Sequence, residues 1–299
     1  MRTILNLSFI MLLFAALPAH TYAQVEIVAT TPALAQIAKA VCGETCNVTT
    51  LAKVGQDPHF VAPKPTLARH LAKADLLFSV GLALESGWLP PLISLSRNSQ
   101  IRIGGTGYFA GSDYVDVLGK NIEVNRSMGD VHPEGNPHWW IDPAQTALVS
   151  TALAKRLAKL DPTHADIYAN QAKKFVSQLN ALITKWKPVL KQSKPIVTYH
   201  DSYRYFVERF DIKVAGFIEP KPGVEPSTRH LDDLISMIES NGVQQIWVEP
   251  YHHGRISKRI AALSGAKLLI MTDATAEEGA AGYLHMIEQL LHAAKGKTE

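Results

Sequence analysis

The run from Thr163 to about Leu190 constrains this chain most. Its apolar positions Ile167, Ala172, Phe175, Val176, Leu179, Leu182, Ile183 and Trp186 recur at helical spacing without a break. A helix of that length is unusual inside one globular core. On either side the pattern changes to short apolar runs alternating with amphipathic segments. Before it, strands are expected at 25–30, 48–52, 76–80 and 101–103; after it, at 196–199, 214–217, 245–248 and 267–271. Strand–helix alternation of this kind argues parallel sheets covered by helices. The expected fold is therefore α/β, with two lobes, each a parallel β-sheet flanked by helices, joined by a long rigid linker α-helix.

The N-terminus reads differently. Arg2 precedes an apolar stretch from Ile4 to Leu17, and Thr21-Tyr22-Ala23 offers small residues for cleavage. This is the pattern of a secretory signal peptide over residues 1–23. No cysteine follows the apolar run directly, so no lipid anchor is expected. Counting from Gln24 leaves about 275 residues, more than one core usually serves. The predicted division is a first lobe over 24–161, a linking helix over 162–191 and a second lobe over 192–299. A net charge of +3, scattered evenly, gives no basic stripe for nucleic acid. The two cysteines, Cys42 and Cys46, lie four apart in Cys-Gly-Glu-Thr-Cys. In an exported protein a disulfide closing this small loop is expected over half of a thiolate metal site, which no second Cys pair could complete.

Four positions carry metal chemistry. His59 sits in Asp57-Pro58-His59, His138 in Asn136-Pro137-His138, His200 in Thr198-Tyr199-His200-Asp201 and Asp273 in Thr272-Asp273. His59, His200 and Asp273 follow expected strands, where open parallel sheets bind ligands. His138 closes a long loop. Any one histidine near a strand end is more often a structural hydrogen-bonding group. Taken together, three imidazoles and one carboxylate make a tetrahedral shell suited to Zn²⁺ in the cleft between lobes. Glu249, at the end of its strand, is a candidate acceptor for a ligand imidazole, and Asp201 a weaker one. His132, with Asp130 and Glu134, is a candidate for transient metal contact or for meeting a metallochaperone. His252-His253 could form a second metal site, though a polar loop is the simpler reading. Gly104-Gly105-Thr106-Gly107 does not lead into a helix with a suitable acidic partner, so it is not read as a nucleotide loop.

The motifs around His59, His138 and His200, with Ile141-Asp142-Pro143 and the late Asp273, resemble the cluster A-I substrate-binding proteins of bacterial ABC importers, which capture Zn²⁺ or Mn²⁺. The resemblance spans the whole mature chain. It implies that His59, His138, His200 and Asp273 are the metal ligands. Histidine at the third position implies zinc, since manganese members usually have Glu there. It further implies a periplasmic, monomeric, non-enzymatic receptor serving an inner-membrane permease with its ATPase. Many zinc members carry a His-rich insertion before the second ligand; the loop from Gly111 to Pro137 is short and holds only His132. Three other readings stand beside this one: a manganese receptor of the same class, a secreted zinc hydrolase and an adhesin. A hydrolase would keep one coordination position open for water, and no His-Glu-x-x-His motif is present.

Overall fold

The structure, a computed structural model, describes residues 24–120, 132–221, 223–272, 275 and 277–296. The first sheet contains β1 (Val25–Ala29), β2 (Cys46–Thr50), β3 (Leu76–Ser79) and β4 (Tyr108–Ala110), in the order β2-β1-β3-β4. The second contains β5 (Ile196–Thr198), β6 (Val214–Phe217), β7 (Gln245–Val248) and β8 (Lys267–Ile270), in the order β6-β5-β7-β8. Every pairing in both sheets is parallel. The two sheets thus share one topology, and each order reverses beside its first strand, the place where open α/β sheets form ligand crevices.

The helices start where local chemistry permits. In α1 (Pro32–Cys42), Thr31 caps the first turn by accepting from the Leu34 amide at 3.3 Å, and Pro32 occupies the first position. In α4 (Pro143–Leu160), after α2 (Pro65–Lys73) and α3 (Leu89–Ser96), Asp142 caps through the Ala144 amide at 2.9 Å, again followed by proline. The linking element is α5 (Ala165–Leu190). It buries Tyr168, Ala172, Phe175, Leu179, Leu182, Trp186 and Leu190, a stripe of three- and four-residue steps, and Pro188 falls in its last turn. The remaining helices are α6 (Arg204–Phe210), α7 (Thr228–Ser240), α8 (Arg255–Ser264) and α9 (Gly279–Ala294).

The last helix crosses back. α9 packs on α1 and α5. Its Tyr283 hydroxyl donates to the Trp140 carbonyl at 2.7 Å and lies 2.8 Å from the Thr146 hydroxyl. The largest hydrophobic cluster therefore joins α1, α4, α5 and α9, while the C-terminal sheet keeps a smaller cluster of its own around Val197, Ile246 and Val248.

One expected strand is corrected. The fourth strand of the first sheet is Tyr108–Ala110, paired Leu77↔Tyr108 with β3, and Ile101–Ile103 instead lies in turns, with Ile101 buried and Ile103 exposed. The glycine run after Ile103 provides close backbone approach: a Cβ on Gly105 would come within 2.1 Å of the Gln100 carbonyl, and one on Gly107 within 2.4 Å of the Asp75 carbonyl. The two cysteines expected to pair, Cys42 and Cys46, are buried, free thiols in this structure. The Cys42 thiol donates to the Gly43 carbonyl at 3.8 Å; the neighbouring Cys46 sulfur, with burial, raises the Cys42 pKa, while Cys42 lowers that of Cys46.

Candidate metal centre

The two Pro-His motifs fold alike. In Asp57-Pro58-His59, the Asp57 carboxylate accepts from both the His59 amide at 2.9 Å and His59 Nδ1 at 2.8 Å. In Asn136-Pro137-His138, Asn136 Oδ1 accepts from the His138 amide at 2.9 Å and from Nδ1 at 3.1 Å. Each short side chain reaches over the proline and fixes both backbone and ring. The orientation of Asn136 is set independently, because its Nδ2 donates to the Asp201 carbonyl at 2.7 Å.

His200 is held by sheet register. β5 and β6 pair Thr198↔Phe217, so residues two beyond each strand fall side by side. There the Glu219 amide donates to the Tyr199 carbonyl at 3.1 Å, and the Glu219 carboxylate accepts from His200 Nδ1. All three rings thus use Nδ1 for support, leaving Nε2 for a metal, the arrangement by which outer carboxylates and amides orient ligating histidines. Nε2 of His59 and of His138 are buried with no protein partner.

The geometry converges. Among the described residues, His59, His138 and His200 have ligand atoms within 4.8 Å of one another. Their ring centroids are separated by 5.4 Å (His59–His138), 5.8 Å (His59–His200) and 5.2 Å (His138–His200). Rings bound through Nε2 to one Zn²⁺ at ~2.0–2.1 Å in a tetrahedron would sit roughly 5 Å apart.

The electrostatics are uneven. Burial holds the His138 pKa well below the usual imidazole value, and repulsion from His200, His59 and His132 adds to this. At His200 burial acts the same way, but the hydrogen bond and charge of Glu219, with Glu249 and Asp201 beyond, outweigh it and raise the pKa. Burial also disfavours an ionised Asp57, yet the hydrogen bond and charge of His59 prevail and lower its pKa.

Asp273 lies outside the described residues. Glu249 is buried, but it accepts from His252 Nδ1 at 3.0 Å and from none of the three clustered imidazoles; the support expected from it comes from Glu219. Asp201 accepts from Arg204 at 2.6 Å. The His132 ring lies 5.3 Å from that of His59, outside the three-residue cluster. His252 stacks on Tyr199 at 3.9 Å. Asp57, Asn136 and Glu219 escaped the sequence reading. The first two had a readable signal, an Asx residue two before a histidine across a proline; Glu219 became legible only with the register.

Comparison with known proteins is consistent with this geometry. A family model described as "ZnuA: Zinc-uptake complex component A periplasmic" matches residues 27–295. The manganese ABC transporter substrate-binding lipoprotein PsaA of Streptococcus pneumoniae serotype 4 is 26% identical over 268 residues, covering 87% of this chain and 84% of the relative. A crystal structure of ZnuA superposes with a TM-score of 0.76 at 22% identity, covering 92% of this chain and 99% of that one. The laminin-binding protein Lmb of Streptococcus agalactiae, described as bifunctional with adhesin and metal-transporting activity, gives 0.75 at 24%, covering 91% and 98%. The two structural likenesses carry the fold. The class so defined is the extracytoplasmic, metal-binding substrate-binding protein of an ABC importer, which works with a membrane permease and its ATPase. Within it, this chain belongs to the ZnuA family. PsaA is named a lipoprotein, which runs against the expectation of an unanchored chain; no described helix is long and apolar enough to cross a membrane.

Proposed function

We propose that the protein captures Zn²⁺ in the periplasm through His59, His138, His200 and Asp273 and presents it to the permease. The observation that carries this reading is the convergence of three imidazoles with every Nδ1 already engaged. A nitrogen-dominated shell favours Zn²⁺ over Mn²⁺, which prefers oxygen. Asp273 enters on its sequence position, as the residue that supplies the fourth ligand and one negative charge. His132, beside His59, is assigned to delivery, either by brief metal contact or by meeting a metallochaperone. The receptor works as a monomer and performs no catalysis.

Manganese is the second reading, favoured by the metal in the name of PsaA. Calorimetric titration of metal-stripped protein separates the two. Zinc should bind one to one, lose affinity in His200→Ala, and resist displacement by excess Mn²⁺. Tighter binding of manganese than of zinc ends the zinc assignment, and no binding of either metal ends the receptor reading.

A further inference from the structure

Behind the two N-terminal histidines lies a turn that metal binding does not touch directly. It runs from Val80 to Trp88 and follows β3. Leu82 and Ala83 have φ of +51° and +62°, two successive non-glycine residues in the left-handed region. Such strain persists only where surrounding contacts over-determine it, and it gathers at ligand clamps. Here the determining group is Glu85, which is 4% exposed. Its carboxylate accepts from the Thr30 hydroxyl at 2.7 Å, the Val80 amide at 2.7 Å and the Gly81 amide at 3.2 Å. No cation pairs with it among those contacts. Burial pushes the Glu85 pKa up against these three donors; a buried polar group is costly unless hydrogen-bonded, and here its bonds all go to Thr30 and to the turn itself.

Both ends of the turn reach a ligand segment. The Trp88 indole donates to the Pro58 carbonyl at 2.9 Å, in the peptide bond that leads into His59. The Val80 carbonyl accepts from the Trp139 indole at 3.1 Å, and Trp139 directly follows His138. Trp139 is fully buried, lying against the Gly111 backbone, where a Cβ would meet its ring at 2.1 Å. One rigid turn thus grips the chain on the near side of both imidazoles, while Asp57 and Asn136 fix their Nδ1 ends.

We infer that Glu85 and Trp88 are positioning residues for metal capture, setting the separation of His59 and His138 before any ion arrives. This rests on the reading of those histidines as ligands. Preorganisation of this kind raises affinity by removing the cost of ordering the ligands on binding.

The test uses Trp88→Phe, which keeps a smaller aromatic ring and removes the N–H, and Glu85→Gln. Tyr168→Phe is the control: it deletes a part-buried hydroxyl bond, to Asp161 at 2.7 Å, that involves none of the three clustered histidines. Zinc affinity is measured by competition with a chromophoric chelator, and the ligand-field spectrum is recorded with saturating Co²⁺. Both Glu85 and Trp88 variants should bind zinc about ten- to a hundredfold more weakly, the range for outer supports of metal ligands, and should shift the Co²⁺ bands while the metal-free protein still melts cooperatively. The control should melt earlier with unchanged bands. Wild-type zinc affinity and Co²⁺ bands in both variants overturn the inference. So does loss of cooperative folding in both, which assigns the residues to the core. Wild-type zinc binding by His59→Ala overturns the metal-site reading instead.

Discussion

The two lobes share a sheet topology and hold their histidines by different chemistry. In the N-terminal lobe β3 is wholly buried, and two indoles with two short Asx side chains fix His59 and His138. In the C-terminal lobe the outer strands β6 and β8 are partly exposed, and His200 depends on one carboxylate carried by a Pro- and Gly-rich loop. His138 is pushed toward neutrality; His200 is pushed toward keeping a proton. A divalent cation therefore meets, at His138, an imidazole held toward its neutral form and, at His200, one held toward its protonated form.

Removing one of the proposed ligands should have the largest effect. His59→Ala and His200→Ala should each weaken zinc by more than the roughly hundredfold that marks the upper range for outer supports. Competition titrations would check this. Equal zinc affinity in wild type and either variant would break the comparison at its root.

Proton displacement sharpens the difference next. Zinc binds the neutral imidazole, so affinity should rise with pH through the elevated His200 pKa and level off above it. Glu219→Gln removes the hydrogen-bonded charge that raises this pKa, and the pH midpoint should move down. The metal-free fold should respond in the opposite sense. A histidine whose folded pKa is raised contributes stability that is full below its unfolded value of about 6.5 and is lost as pH rises through the folded pKa. Glu219→Gln should thus destabilise the metal-free protein more at pH 5.5 than at pH 9. Zinc titrations and thermal melts across that interval test both halves, and an unmoved midpoint would show that Glu219 does not control His200.

How far the sequence discloses this contrast depends on the interaction. Parallel strands buried on both faces appear as short apolar runs, so seven of the expected strands fall near observed ones. The eighth failed because Ile101-Arg102-Ile103 and Tyr108-Phe109-Ala110 are equally short, and pairing with β3 chose between them. The three histidines were legible through their motifs, and Asp57 and Asn136 lay inside those same motifs. Glu219 is nineteen residues from His200; only the β5–β6 register joins them.

A smaller effect separates the charged support from the neutral one. Asp57→Asn leaves an amide oxygen able to accept from His59, as Asn136 already does for His138. Measured on the high-pH plateau, where proton competition at His200 is gone, its cost in zinc affinity should fall near the tenfold end of the range for outer supports, below that of Glu219→Gln, because a neutral acceptor serves the neighbouring ring. Should Asp57→Asn prove the costlier of the two, the charge on the N-terminal side matters as much as the one beneath His200.

The smallest effect on zinc should come from the strut. Phe175 is 1% exposed on α5, with its ring 5.5 Å from that of Tyr283 on α9. Phe175→Ala should lower stability by about 3–5 kcal/mol through lost burial and the cavity left behind. It touches none of the hydrogen bonds that aim the three imidazoles, so zinc affinity of the folded fraction should stay within about twofold, near 0.4 kcal/mol. Chemical denaturation measures the first quantity and competition titration the second. If affinity falls in step with stability, the N-terminal pair is not fixed by its local bonds: its geometry is then set by the α5–α9 packing beneath it, and the difference between the lobes lies in their shared core.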